Sequence, residues 1–171
     1  MAVVLDYLQN LALANWVRSS PSLFAYSTVL AAHAVGLGIV VGLSTLIALR
    51  LLGVAPGIPL TGLRQLYSII WIGFVINLVS GLLLFIAEAN TMATMVAFLV
   101  KILFVILGMI VAELLKHFYF KDLASVQAGV VTRVGRNLAI ISLVCWYLAL
   151  IAGRLTAYPD MVNGWLHLKW G

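Results

Sequence analysis

The run from Leu23 to Leu52 is the feature that most restricts how this chain can fold, because it is apolar and carries no charge before Arg50. A helix needs about 20 apolar residues to cross a bilayer. Three further stretches are long and apolar enough, so we predict membrane spans at about 23–52, 66–88, 91–120 and 136–157. The expected fold is an all-α, four-transmembrane-helix up-and-down bundle that forms a single membrane domain over residues 1–171.

The composition supports a membrane protein. The chain is 64% hydrophobic and only 9% charged, whereas a soluble domain carries about 25% charged residues. The net charge of +5 is concentrated at the ends of the apolar segments, which is typical of loops beside lipid headgroups. We therefore expect the lipid bilayer as a partner and no nucleic acid. Because Cys145 is the only cysteine, an internal disulfide and a cysteine-ligated metal cluster are excluded.

Short segments before and after the spans are expected to lie in the membrane interface. Residues 2–18 place leucines and Trp16 near one side, which predicts an interfacial N-terminal helix. Residues 158–171 form an interfacial tail, with Trp165 and Trp170 as headgroup anchors. Six basic side chains flank the loops on one side, namely Arg50, Arg64, Lys116, Lys121, Arg133 and Arg136. The positive-inside rule then predicts that both termini lie on the outer side of the membrane and that the basic loops lie in the cytoplasm.

His33 is the ionisable residue of the first span, and a group at this depth must face protein, water or a cofactor. Its neighbours are small: Ala31, Ala32, Ala34, Gly36, Gly38 and Gly42. Two interpretations stay open. The imidazole is either a neutral group hydrogen-bonded to a backbone carbonyl or to Asn77, or an axial ligand of a haem or similar tetrapyrrole. The Gly38 and Gly42 pair also permits another helix to approach closely, whether or not a cofactor binds.

Depth along the spans predicts which polar residues can meet. At 1.5 Å per residue, His33 lies roughly 7 Å outward of the bilayer centre, Lys101 lies in the central part of its span, and Arg154 lies about 10 Å outward. Asn77 and Ser80 of the second span lie between the centre and the outer half. His117 lies roughly 20 Å inward, which is too far for it to share one haem iron with His33. The predicted cluster is therefore His33, Asn77, Ser80, Lys101 and Arg154.

The two cations of this cluster need partners. Lys101 is too deep to extend to an interface, so it requires an anion, a carbonyl group or water. A haem propionate, a quinone carbonyl or Glu88 across a water-filled gap would each serve. Arg154 is either a helix-end anchor or a carboxylate ligand, because its planar fork suits a propionate.

Glu113 and His117 form an i, i+4 pair at the cytoplasmic end of the third span. A proton relay or a metal site is one interpretation of this pair. Two residues make a poor metal site, so the pattern favours a solvated helix end.

Four groups of motifs follow one another along the chain: Ala32-His33-Ala-Val-Gly36-Leu-Gly38 with Arg50-Leu-Leu-Gly53, then Gly73-Phe74 with Ser80-Gly81, then Lys101 with His117, and Gly153-Arg154-Leu-Thr-Ala157-Tyr158. Their order resembles a family of uncharacterised four-span bacterial membrane proteins. This resemblance implies a bacterial inner (cytoplasmic) membrane, with both termini on the outer (periplasmic) side. More distantly, the first-span histidine and third-span lysine are similar to those of the haem-binding membrane protoporphyrinogen oxidases and of copper-resistance D-type membrane domains. The resemblance to the oxidases implies functional roles for His33 and Lys101. Glu113 departs from the family pattern, which has an asparagine before the third-span histidine.

The leading functional prediction is a b-type haem-binding membrane protein that serves in electron transfer or quinone-linked redox. His33 would be the axial iron ligand and Lys101 the opposite ligand or an anion partner. Arg154 would hold a propionate, with Asn77 and Ser80 completing the cofactor site, and quinone is a further expected cofactor.

The alternative is a non-catalytic accessory subunit, packed in a larger respiratory or photosynthetic complex or in a homo-oligomer. A metal or solute permease is a third interpretation, although the chain lacks the ligand series that a copper path favours. No nucleophile triad or phosphate loop is present, so the sequence assigns no enzymatic reaction.

Overall fold

The computed structural model describes residues 2–118 and 131–158, and within these ranges all regular structure is helical. The described helices are α1 (Ala2–Gln9), α2 (Ala12–Ser19), α3 (Leu23–Leu51), α4 (Leu60–Ala87), α5 (Ala89–Thr94), α6 (Val96–Phe118) and α7 (Arg133–Leu155). Four of them, α3, α4, α6 and α7, are long and apolar enough to cross a membrane. The predicted all-α fold with four membrane helices is confirmed.

Local sequence explains where the first two long helices begin and end. The Ser22 side chain accepts a hydrogen bond from the Phe24 backbone and so caps the start of α3. Helix α3 ends at Leu51, and Gly53 follows with φ of +85°, a conformation that glycine adopts without strain. Helix α4 begins at Leu60, six residues before the predicted start at 66, and Pro59 is its N-cap residue with extended backbone.

Two segments that the sequence predicts as continuous helices are broken in the structure. The predicted interfacial helix 2–18 is divided between α1 and α2, where the Asn10 side chain donates to the Asp6 carbonyl at 2.8 Å. The predicted span 91–120 is interrupted at Met95, whose backbone is extended, and α6 starts at the next residue. Asparagine and threonine side chains compete for backbone groups and so favour helix ends; Thr94 bonds to the carbonyls of Asn90 and Thr91.

The long helices pack unevenly around the bundle. Helix α3 packs closely on α4, α6 packs closely on α7, and α3 also meets α7, whereas α4 and α6 share very few backbone contacts. We name the two ends of the bundle after Arg154 and Glu113. The largest buried side chains on the Glu113 side of the core include Ile47, Leu51, Leu63, Ile70 and Trp146. The bundle therefore has three packed sides and one open side, between α4 and α6.

Gly36 and Gly73 mark the tightest approach of α3 to α4. A Cβ at Gly36 would lie 2.6 Å from the backbone nitrogen of Asn77, and one at Gly73 would lie 2.6 Å from Ile39 Cγ2. The predicted close approach at Gly38 and Gly42 is not found, because a Cβ at either position would meet nothing within 4 Å. The periodicity of small residues in α3 indicated a packed face, but the packed glycine is two residues earlier.

The N-terminal helices lie against the Arg154 end. The Asn90 side chain donates to Asp6 at 2.7 Å, and its backbone nitrogen donates to the Gln9 side chain at 3.1 Å, which ties α1 to α5. Helix α2 packs against α4 and buries Ala14 and Val17. Most of the predicted interfacial tail 158–171 lies outside the described residues, as does the loop containing Lys121.

Candidate functional site

His33 is held on α3 by two groups from α4. Its Nδ1 lies 3.0 Å from the Asn77 carbonyl oxygen and 3.3 Å from Ser80 Oγ. A backbone carbonyl can only accept, so Nδ1 carries the ring proton and Nε2 presents a lone pair. The Asn77 side chain in turn donates to the His33 carbonyl at 2.8 Å. The neutral, carbonyl-bonded imidazole that the sequence allows is the form that this geometry favours.

Lys101 of α6 lies on the other side of the imidazole. Its Nζ is 3.2 Å from His33 Nε2, so the ammonium donates to the neutral ring. An ammonium has three N–H donors, and His33 is the one partner that the described residues provide for them. Among the described residues the one ion pair joins Lys116 to Glu113 at 3.6 Å. Glu88 therefore makes no ion pair with Lys101.

Two cavities meet at the His33–Lys101 pair. The first, which we name the window, has a volume of about 390 Å³, and its side walls are Phe74, Leu78 and Leu82 of α4 and Ile102, Val105 and Ile106 of α6. The second, which we name the vestibule, has a volume of about 260 Å³ and includes Tyr26, Glu88 and Arg154. Five residues line both cavities and so lie between them: His33, Gly81, Phe85, Phe98 and Lys101.

The window lies between two contacts that join α4 to α6, and it is open along its side. Toward the Arg154 end, Phe85 of α4 stacks on Phe98 of α6 with ring centroids 5.3 Å apart. Toward the Glu113 end, Trp71 Nε1 of α4 donates to Glu113 Oε1 of α6 at 2.6 Å. Between them Leu78, which is 55% exposed, faces out of the bundle. The window therefore opens onto the outer surface of two helices that are apolar enough to cross a membrane.

Arg154 lies at the rim of the vestibule, apart from the hydrogen-bonded cluster. Its side chain is exposed, donates to the Tyr158 hydroxyl at 3.0 Å and lies 5.3 Å from the centroid of that ring. The structure thus brings His33, Asn77, Ser80 and Lys101 into contact, and it places Arg154 on the same cavity as Lys101.

Two glycines make room for the central pair, and the sequence analysis gave neither a role. A Cβ at Gly81 would lie 2.9 Å from His33 Cε1, and one at Gly153 would lie 3.4 Å from Lys101 Cδ. Both occur in quoted motifs, Ser80-Gly81 and Gly153-Arg154. Each glycine is adjacent in sequence to a residue of the predicted cluster, Ser80 or Arg154. That adjacency was the sequence signal that could have assigned them a role.

At the Glu113 end, the Glu113 and Lys116 side chains are each 44% exposed, and Glu113 also makes a contact between helices that the sequence did not predict. Glu113 accepts a hydrogen bond from Trp71 and pairs with Lys116, so its carboxylate links α4 to α6. Within the part of the chain that the structure describes, no group of three or more histidine, cysteine, aspartate or glutamate residues could hold a metal ion. A metal held by protein ligands alone is therefore not supported among these residues.

Comparison with known protein families, with curated proteins and with solved structures finds no match. The resemblance to haem-binding membrane oxidases accordingly stays a prediction.

Proposed function

We propose that this chain is a b-type haem-binding membrane protein with His33 as the axial ligand, serving electron transfer or quinone-linked redox. The observation that supports the proposal is the orientation of the imidazole. Its Nδ1 donates to the Asn77 carbonyl, and its unprotonated Nε2 points between two cavities. Histidines that ligate metals typically donate their other ring nitrogen to a carbonyl in this way, which fixes the tautomer.

The residues present fit a haem in donor chemistry and in surroundings. Cavities lie on both sides of the His33–Lys101 pair, and the window walls are apolar. The two nitrogens are 3.2 Å apart, whereas two metal–nitrogen bonds of about 2 Å each require about 4 Å. Lys101 must therefore move off Nε2 before iron can bind there, which its flexible stem permits.

Each residue of the cluster has a role in this proposal. Asn77 and Ser80 fix the His33 ring, and Lys101 is either the opposite ligand or the partner of a propionate. Arg154 offers its guanidinium to a carboxylate from the vestibule rim. Haem, when bound, supplies one-electron redox chemistry whose potential the axial ligand and burial set. The lipid-facing window supports a lipid-soluble redox partner such as a quinone.

The visible spectrum of protein purified from haem-supplied cells tests the proposal, recorded oxidised and after dithionite reduction. We expect a Soret band that His33→Ala abolishes. His117→Ala is the matched control, because His117 lies sixteen residues beyond Lys101 on α6, about 24 Å along the helix. This variant should keep the band. Correctly folded but colourless wild-type protein would refute the haem proposal.

An exposed glycine face favours a second candidate, the accessory subunit. Gly38 and Gly42 are exposed on α3 and meet nothing within 4 Å, and such a surface allows another membrane helix to pack closely. Colourless protein that purifies in fixed proportion with a larger membrane complex, or as a homo-oligomer, would support this role. Gly38→Leu with Gly42→Leu should then release it, whereas Gly62→Leu, at an open position on α4, should not.

A further inference from the structure

Lys101 is a partly buried cation, the sixth residue of the membrane-length helix α6, and among the described residues it forms no ion pair with a carboxylate. Its hydrogen-bond partner is the neutral ring of His33, 3.2 Å away, and Glu88 lines the vestibule without forming an ion pair to it. A charged group in the membrane interior generally pairs with an opposite charge or faces water. Two of its N–H donors are therefore available to an anion that reaches it through a cavity.

The window admits molecules from lipid rather than from water. Its side walls are six apolar side chains, and several of these, such as Ile106 at 52%, are strongly exposed on the lipid side. The opening between Phe74 and Phe85 extends about 16 Å along α4 at 1.5 Å per residue. An apolar chain can lie in it without leaving the bilayer.

The charges around the two cavities indicate which polar group such a molecule would carry. Lys101 lies where the window meets the vestibule, and the vestibule adds Arg154 and one carboxylate, Glu88. Two cations and one anion leave a net positive charge where the vestibule meets the apolar walls of the window, and a cleft lined by one sign of charge concentrates ions of the opposite sign. The ligand chemistry that matches both features is a carboxylate on an apolar body.

We infer that the window binds an amphiphilic carboxylic acid, whose carboxylate pairs with Lys101 while its apolar part lies between α4 and α6. A long-chain fatty acid presents this chemistry without iron, and a haem presents it through its propionates. The haem source rests on the proposed function, whereas the fatty-acid source does not. In both, Lys101 is an anion partner and not an iron ligand.

The first experiment uses wild-type protein prepared without haem in lipid nanodiscs. Palmitate and hexadecanol have the same chain length and differ in charge. The binding of each is measured by its competition with a fluorescent long-chain acid, and protein-free nanodiscs are the control for partition into lipid. We expect palmitate to bind about tenfold more tightly, as expected for a charged hydrogen bond. Lys101→Met should abolish this preference and Lys101→Arg should retain it.

A second pair of variants tests the place of binding. Ile102→Trp narrows the window and should weaken the binding of both palmitate and hexadecanol. Ile140→Trp is the control, because Ile140 is equally apolar and exposed on α7 but lines neither cavity. Equal loss in both variants would place the ligand outside the window and overturn the inference.

The haem source is tested by comparing haem with its dimethyl ester, which lacks the propionate charges. A Lys101-dependent preference for haem over the ester, without a preference for palmitate, identifies haem as the source of the carboxylate. A Lys101-dependent preference for palmitate in protein that stays colourless supports the fatty acid and refutes only the haem proposal. If neither acid is preferred over its uncharged counterpart, the inference is wrong, and the haem proposal then depends on the Soret band alone.

Discussion

The Nε2 atom of His33 accepts a hydrogen bond from Nζ of Lys101 over 3.2 Å, and this contact joins α3 to α6 inside the bundle. Asn77 extends the connection to α4 through reciprocal bonds with His33. Three membrane helices are thus tied together by polar groups at one level. This matters for the open side of the bundle, because α4 and α6 share very few backbone contacts.

We expect Gly36→Ala to destabilise the bundle and Gly38→Ala to leave its stability unchanged. A Cβ at Gly36 would lie 2.6 Å from backbone nitrogen of Asn77, and one at Gly38 would meet nothing within 4 Å. Overpacking of this kind typically lowers the free energy of unfolding by about 1–3 kcal/mol. Reversible unfolding in detergent measures the difference between the variants. Equal stability would show that α3 and α4 do not approach each other as described.

We expect Asn77→Ala to weaken the α3–α4 interface while His33 keeps its tautomer. The variant loses the side-chain bond to the His33 carbonyl, worth about 0.6–1.7 kcal/mol in a membrane protein. It retains the backbone carbonyl that accepts the Nδ1 proton. Nitrogen-15 NMR of labelled histidine reports the protonated ring nitrogen. A proton found on Nε2 in this variant would contradict the proposed anchoring.

Much of the site could be predicted because helix geometry converts sequence position into depth. With 1.5 Å of rise per residue, His33 and Lys101 fall near the same level on the first and third spans, and the structure places their nitrogens 3.2 Å apart. Arg154 falls at a similar level, yet it turns to Tyr158. Depth alone does not give the direction in which a side chain points.

Features that depend on how the helices rotate could not be predicted in this way. Gly36, Gly38 and Gly42 are alike in sequence, and only the rotation of α3 against α4 places Gly36 at the crossing. The window has the same origin, because the apolar residues of α4 and α6 would suit a packed interface as well as an open one. The bond from Trp71 to Glu113 joins residues 42 positions apart, and no spacing rule indicated it.

We expect Trp71→Phe and Glu113→Leu, each of which removes one partner of their hydrogen bond, to loosen the Glu113 end of the window, with less than additive effects. Their hydrogen bond is 2.6 Å long and links α4 to α6, and a net contribution of about 1 kcal/mol is typical of such a bond. A double-mutant cycle on unfolding free energies isolates the shared part. Lys116→Met is the control, since its contact with Glu113 stays within α6. Full additivity would mean that the bond does not stabilise the fold.

We expect His33→Ala to destabilise the protein more than Lys101→Met. Removing the imidazole leaves a cation inside the bundle without its partner, and an unsatisfied charged group lowers stability by more than about 1–3 kcal/mol. Removing the ammonium instead leaves an uncharged acceptor, and methionine fills a similar volume. The double variant should therefore recover part of the stability lost in His33→Ala. Unfolding in detergent at fixed pH tests this order. Ser80→Ala is the control, because it removes the longer contact to Nδ1, of 3.3 Å, together with hydroxyl bonds to the Ile76 and Asn77 carbonyls within α4, and leaves the Lys101 contact in place. If Lys101→Met were the more damaging change, the ammonium would be satisfied by a partner other than His33, and the anion site inferred at the window would have to lie elsewhere.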